Sequence, residues 1–133
     1  MSLYESIGTL RYSGKARLVV EVDQEIGNYY RTLIPKYLNP QRPRWPTHIT
    51  VVREEKESPL RPEFWGKYEG ELVTFLYDPT VHTGKIYFWL LAYCTRLEDI
   101  RKELGLPLVS KYTMPPDGFQ KAFHITIANV KTQ

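Results

Sequence analysis

The chain contains a single cysteine and no long run of apolar residues. Cys94 cannot form an internal disulfide, and its apolar, strand-like surroundings predict a buried and inert thiol. The longest apolar stretch, residues 86–94, is too short to span a membrane, and no basic region followed by an apolar stretch opens the chain. These absences exclude a disulfide-stabilised scaffold and a membrane-spanning protein, and they predict a cytoplasmic location.

A strong excess of charge of either sign is also missing. The 133 residues include 18 Lys and Arg against 15 Asp and Glu, which gives a net charge of +3. This balance permits a phosphate-bearing ligand but does not provide the dense basic surface that binds duplex DNA. With 42% hydrophobic and 25% charged residues the composition is that of a globular protein, and the length predicts one domain, 1–133.

The predicted elements of the first half run from strand to helix to strand. Residues 17–22 are rich in β-branched side chains and predict a strand. The apolar residues of 23–38 recur at intervals of three and four, which predicts a helix with Asp23 as its N-cap. Pro35 is expected to kink or loosen its last turns. Three prolines in residues 39–46 prevent regular structure and lead into a strand at 47–53.

The second half repeats this order. Residues 85–94 predict a strongly apolar strand. Thr95 and Glu98 form a capping-box pattern that opens a helix, and Gly105 ends it. A long polar loop rich in proline then leads to a last strand at 122–130.

The unit of strand, helix, proline-rich loop and strand therefore occurs twice, in halves at about 16–53 and 85–130. Residues 71–77 alternate between polar and apolar, and together with 9–12 they predict added strands. Duplicated halves are commonly related by a pseudo-twofold axis. The last strands of the two halves are therefore expected to face one another.

These two strands carry copies of one pattern in a chain that has only three histidines: His48-Ile49-Thr50-Val51 and His124-Ile125-Thr126-Ile127. Side chains two apart in a strand point to the same side, so each copy places an imidazole and a hydroxyl on one face. Histidine suits both general base and general acid because its ordinary pKa is about 6.5. The pattern predicts His48 and His124 as acid and base, in an order that the sequence leaves open. Thr50 and Thr126 would donate hydrogen bonds to phosphate oxygens, and this chemistry requires no metal.

A resemblance to the two-histidine (2H) phosphoesterase superfamily rests on two segments, Pro46-Thr47-His48-Ile49-Thr50-Val51 and Phe123-His124-Ile125-Thr126-Ile127. The superfamily includes the bacterial 2'-5' RNA ligase-like proteins and cyclic phosphodiesterases, and the chain looks more similar to its compact bacterial and phage-type members. The resemblance implies a bilobed α+β fold. Its duplicated strand-helix-strand halves would have mainly antiparallel sheets flanking a central cleft, with helices on the outside.

The resemblance also implies a function. His48 and His124 would be the catalytic residues of a phosphodiesterase, Thr50 and Thr126 would bind phosphate, and neither metal nor cofactor would be needed. Substrates across the superfamily are RNA ends, 2',3'-cyclic phosphates, 2'-5' linkages and cyclic nucleotides. The expected partner is therefore a nucleotide or RNA-end substrate, with no membrane, no duplex DNA and no obligate protein partner.

Basic and aromatic residues near the motifs are candidates for substrate binding. They lie in or beside the proline-rich loops or in the N-terminal strand: Arg44, Trp45, Lys111, Tyr112, Lys121 and Tyr12. Such side chains can clamp a phosphate or stack on a base, and each is equally explained as a solvated charge or a surface aromatic. The third histidine, His82, is expected in a turn, and a zinc site that includes Cys94 lacks closely spaced ligand pairs.

Two other functions fit the same pattern. A non-catalytic protein could use the cleft to bind a nucleotide or an RNA end, although pure binding has little need for two titratable groups. In a plain interaction protein both motifs would be core strands. Removing either histidine would then lower the melting temperature, whereas removing catalytic groups from a polar cleft often leaves stability unchanged or raised.

Overall fold

The computed structural model describes residues 2–54, 56–107 and 122–130. Strands dominate these ranges, and the two α-helices within them have only eight and nine residues. In chain order the elements are β1 (Tyr4–Ser13), β2 (Arg17–Glu21), α1 (Gln24–Arg31), β3 (His48–Val52), β4 (Leu72–Tyr77), β5 (His82–Thr83), β6 (Tyr87–Tyr93), α2 (Thr95–Glu103) and β7 (Phe123–Asn129). Short 3₁₀ helices lie at Lys36–Leu38 and Pro62–Phe64.

The strands form one antiparallel sheet that closes on itself. Their order is β4-β1-β2-β3-β7-β6-β5, and β6 also pairs with β4, where Leu76 lies opposite Tyr93. Six strands thus complete a closed barrel, and the two-residue β5 pairs with β6 as well. Closure provides backbone partners for strands that would otherwise be open edges.

The core is made of side chains that alternate along the strands. In β4, for example, Val73 and Phe75 are buried, whereas Leu72 and Leu76 on the other face are exposed. Each helix adds its one apolar side to the same core. The cluster includes Leu10, Leu18, Val20, Ile26, Tyr30, Ile49, Val73, Phe75, Leu90, Leu97, Ile100, Phe123 and Ile125.

The predicted bilobed α+β fold is wrong. The halves at 16–53 and 85–130 do not form separate lobes on either side of a cleft, because β3 pairs directly with β7 and joins them in one sheet. The strands outside the halves, β1 and β4, close the barrel. A repeat in the sequence reports local elements, whereas pairing between distant strands depends on how the whole chain packs.

Helix α1 begins as predicted and ends early. The carboxylate of Asp23 accepts a hydrogen bond from the backbone N–H of Glu25 at 2.9 Å, which confirms the N-cap. The helix stops at Arg31 instead of continuing to 38. Pro35 explains the difference, because it has no N–H for the carbonyl of Arg31 and its ring clashes with that carbonyl in a helix.

Helix α2 starts at Thr95, but the predicted capping box does not form. The N-cap is Cys94, which makes no capping hydrogen bond with its side chain. Cys94 is buried, as predicted, and burial raises the pKa of its thiol. In the described part of the chain, no helix has the length and apolar character needed to cross a membrane.

Candidate functional site

The two motifs lie on neighbouring antiparallel strands, β3 and β7. Ile49 pairs with Ile125, and both are fully buried in the core. On the other face of these strands lie four half-buried polar side chains, named here the His–Thr quartet: His48, Thr50, His124 and Thr126. The two motif strands were expected to face one another, and they instead lie side by side as paired strands of one sheet.

The register determines how the quartet is arranged. In an antiparallel pair centred on Ile49 and Ile125, His48 lies beside Thr126. Thr50 lies beside His124 in the same way. The two histidines are therefore diagonal neighbours, and such positions in a sheet are separated by about 7–8 Å. Side chains that start from positions at this spacing can both reach a single phosphate group.

The ring of His48 is held by its own chain. Its Nδ1 lies 2.7 Å from the carbonyl oxygen of Pro46, and because a carbonyl only accepts, Nδ1 carries the proton and donates it. The neutral ring then has its lone pair on Nε2. Burial lowers the pKa of His48, the positive charge of Arg17 lowers it further, and the Pro46 carbonyl opposes both effects. His48 therefore favours the neutral form, which is the form that a general base needs.

Helix α1 fixes the residue that precedes His48. The side-chain amide of Gln24 donates to the carbonyl of Thr47 at 2.9 Å, and the Thr47 N–H donates to Gln24 Oε1 at 2.8 Å. Gly27 allows the helix to approach this closely, since a Cβ at that position would overlap Thr47 Oγ1. The start of β3 is thus tied to the helix through its backbone.

The end of the first motif is tied to helix α2 by a buried arginine. Leu18 pairs with Val52 and Val19 with Thr50, so Val51 is the extra residue of a β-bulge. Its carbonyl accepts a hydrogen bond from Arg101 Nη1 at 2.7 Å.

Arg101 is itself fully buried and forms a paired contact with Glu57, at 3.0 and 2.7 Å. The two opposite charges compensate one another in the interior. The guanidinium also donates a hydrogen bond to the carbonyl of Val51, the residue that the bulge leaves without a partner on β2. No sequence pattern indicated this pair, because Glu57 and Arg101 are 44 positions apart.

The two sides of the quartet differ in polarity. On the β7 side, Trp89 pairs with Thr126 and Leu91 pairs with His124. Both of these β6 residues are buried and form a second apolar cluster with Ala122. On the other side of β3, strand β2 presents charged side chains on the quartet's face.

Strand β2 brings Arg17 to the site, a residue that the sequence analysis missed. Glu21 lies opposite His48 and Val19 opposite Thr50, and Arg17 follows on the same face of β2. The available signal was the alternation of Arg17, Val19 and Glu21 in a strand that was correctly predicted. What was missing was the knowledge that β2 and β3 are neighbours.

The predicted substrate-binding residues have different positions. Arg44 and Trp45 are exposed in the loop before β3, and Trp45 lies beneath two guanidinium groups. Tyr12 is on the core side of β1 and packs edge-on against Trp65, with ring centroids 4.9 Å apart. Burial raises the pKa of Tyr12 to about 12, and it is not part of the quartet's face. The candidates in the second loop, Lys111, Tyr112 and Lys121, lie outside the described residues.

His82 is not in a turn but in β5, where it pairs with Trp89 and stacks on its ring at 5.9 Å. Among the residues that the structure describes, no group of three or more His, Cys, Asp or Glu is arranged to hold a metal ion. Comparisons with protein-family models, with curated proteins and with solved structures found no match.

Proposed function

We propose that the chain is a phosphodiesterase in which the paired histidines perform general acid–base catalysis without a metal. One observation carries this proposal. The pairing of Ile49 with Ile125 brings two imidazoles and two hydroxyls onto one face, with each threonine beside the histidine of the other motif. An anion between them would meet a proton acceptor, a proton donor and two neutral hydrogen-bond donors.

The roles of the two histidines follow from the surroundings of His48. Its fixed Nδ1 proton and its lowered pKa suit a general base that removes a proton from the attacking water or hydroxyl through Nε2. His124 then has the complementary role and protonates the leaving oxygen. The diagonal placement suits an in-line displacement, since the attacking and leaving oxygens are on opposite sides of the phosphorus.

Thr50 and Thr126 occupy the other diagonal of the quartet. Their hydroxyls can donate to the two non-bridging oxygens and stabilise the charge that grows on them in the transition state. Because both threonines belong to paired strands with buried neighbours, these donors are held in position before the substrate arrives.

The proposed substrates are nucleotide or RNA-type phosphodiesters, namely 2',3'-cyclic phosphates, 2'-5' linkages or cyclic oligonucleotides, and the proposed location is the cytoplasm. The resemblance to the 2H phosphoesterase superfamily supports this through the two motifs alone. The bilobed fold that the superfamily implies is not the fold of this chain.

The test is a hydrolysis screen of cyclic mononucleotides, cyclic dinucleotides, 2'-5' oligoadenylate and RNA ends with a 2',3'-cyclic phosphate. We expect turnover of at least one class in the presence of a chelator and none by the double variant His48→Ala, His124→Ala. Activity abolished by the chelator would contradict the proposal. Tight binding across the panel with no product would favour a non-catalytic binding protein instead.

A further inference from the structure

Two arginines share one exposed aromatic ring beside the His–Thr quartet. The guanidinium carbon of Arg17 lies 5.8 Å from the ring centroid of Trp45, and that of Arg44 lies 5.5 Å from it. Trp45 is 60% exposed, so its ring is not needed to fill the core. Cation–π contacts of this kind place both guanidinium groups beside one exposed ring.

Arg17 and Arg44 differ from several other basic residues in having no ion pair with a carboxylate among the described residues. Arg11, Lys67, Arg96 and Arg101 each pair with a carboxylate. Neither Arg17 nor Arg44 forms an ion pair with any residue that the structure describes. Two like charges beside one ring, without an ion-pair partner among the described residues, repel one another, and a bound anion would reduce that repulsion.

The pair is close to the proposed catalytic base. Trp45 is three residues before His48, and three residues of extended chain span about 10 Å. Arg17 lies on the same face of the sheet as His48, two positions before the residue that pairs with Thr50. The carboxylate nearest in register to His48, that of Glu21, is bound by Arg11 at 3.0 Å and so does not neutralise Arg17.

We propose that Arg17 and Arg44, positioned by Trp45, bind a second, non-scissile phosphate of the substrate. Guanidinium groups suit this task because their planar N–H donors match phosphate oxygens in pairs. A site for two phosphates selects an oligonucleotide, linear or cyclic, over a cyclic mononucleotide. This inference rests on the proposed phosphodiesterase function for the identity of the first phosphate site.

In this arrangement Trp45 is a positioning residue. Its ring is shared by two guanidinium groups, and its main effect is to restrict the motion of both side chains before the phosphate binds. Trp45→Phe should preserve part of this effect because it keeps an aromatic face, whereas Trp45→Leu should lose it.

The test compares two ligands that a phosphodiesterase cannot cleave, adenosine 3'-monophosphate and adenosine 3',5'-bisphosphate. The two phosphates of the second ligand are one nucleoside apart, as are consecutive phosphates in a strand. By titration calorimetry at low salt, we expect the wild-type protein to bind the bisphosphate at least tenfold more tightly. Arg17→Met and Arg44→Met should each reduce that ratio severalfold, and Arg17→Lys should reduce it less.

Arg42→Met is the matched control, because Arg42 is an exposed arginine of the same loop that is not one of the two guanidinium groups over the Trp45 ring. It should leave the ratio unchanged, and unchanged melting temperatures would show that all variants are folded. Equal affinity for the two ligands, or an equal effect of Arg42→Met, would overturn the inference.

The calorimetry and the hydrolysis screen can succeed or fail independently. If no substrate is hydrolysed but the bisphosphate ratio depends on Arg17 and Arg44, the catalytic proposal fails and the phosphate site stands. If hydrolysis is observed but the protein binds the bisphosphate and the monophosphate with similar affinity, only the second phosphate site is overturned.

Discussion

Strands β3 and β7 carry nearly the same tetrapeptide but lie in different surroundings. His48 begins a strand that is tied to α1 through Thr47, to α2 through the carbonyl of Val51, and that borders a charged strand. His124 lies in a longer strand against the buried β6 residues Trp89 and Leu91. Two similar motifs thus have different neighbours, and under the proposed function this difference favours His48 as the base and His124 as the acid.

The largest expected effect comes from removing each histidine separately. His48→Ala and His124→Ala should each lower kcat/KM by about 10²–10⁴-fold, the usual contribution of a general acid or base. Because the two histidines have different neighbours and different proposed roles, the two variants should have different pH profiles of kcat/KM. Loss of the base should flatten the acid limb, and loss of the acid should flatten the alkaline limb. A variant that keeps wild-type activity would remove its histidine from the mechanism.

Breaking the buried ion pair tests the support that β3 receives from α2. Arg101→Met leaves the carboxylate of Glu57 buried without its partner, and such a change costs about 3–5 kcal/mol of the free energy of unfolding. Denaturant unfolding measures this loss. The double variant Arg101→Met, Glu57→Leu should recover part of it, because no unpaired charge remains. A double variant less stable than Arg101→Met alone would contradict this explanation.

The threonines test whether the two hydroxyls act as a pair. Thr50→Val and Thr126→Val keep the side-chain shape and remove a donor, which at a developing charge reduces kcat by about 10²–10³-fold. We expect similar losses for both, because the register places them equivalently beside the two histidines. Single-turnover kinetics would separate this effect from product release. A large loss for one variant and none for the other would show that only one hydroxyl contacts the phosphate.

Gly27→Ala tests the contact between α1 and the residue before His48. The new Cβ would overlap Thr47 Oγ1, and overpacking of this kind costs about 1–3 kcal/mol. Thr47→Ala in the same chain should restore stability and activity together, because it removes the overlapping hydroxyl. Thermal melts and kcat/KM of the single and double variants provide the measurement. No rescue would mean that the strain lies elsewhere.

The smallest expected effect concerns the pH dependence set by Arg17. A general base must be neutral, so under the proposed mechanism the rate should rise with pH through the pKa of His48, which burial and Arg17 hold below its ordinary value. Arg17→Met removes the positive charge, and the acid limb of kcat/KM should move to higher pH by a fraction of a unit. Glu21→Gln is the control of opposite charge, and it should move the limb to lower pH or leave it in place. A limb that moves to lower pH in Arg17→Met would contradict the assignment of His48 as the base.

Sequence patterns predicted the local elements well and their assembly poorly. The Asp23 cap and the alternation that places His48 and Thr50 on one face follow from local geometry, and the structure contains both. The length of α1 was overestimated because the apolar spacing continues past Pro35, where the helical hydrogen bonds cannot. The position of Arg17 on the face of the quartet could not be predicted, because it depends on which strand lies next to β3.

The positions of most strands, and the polar and apolar faces of each motif, are predictable from the amino-acid sequence, since they depend on alternation over a few residues. Three features became visible with the folded chain: β3 lies beside β7, β4 and β6 close the sheet, and Arg101 is buried with Glu57. Those contacts join residues that are far apart in the chain. They are selected by the packing of the whole core, so no local pattern specifies them.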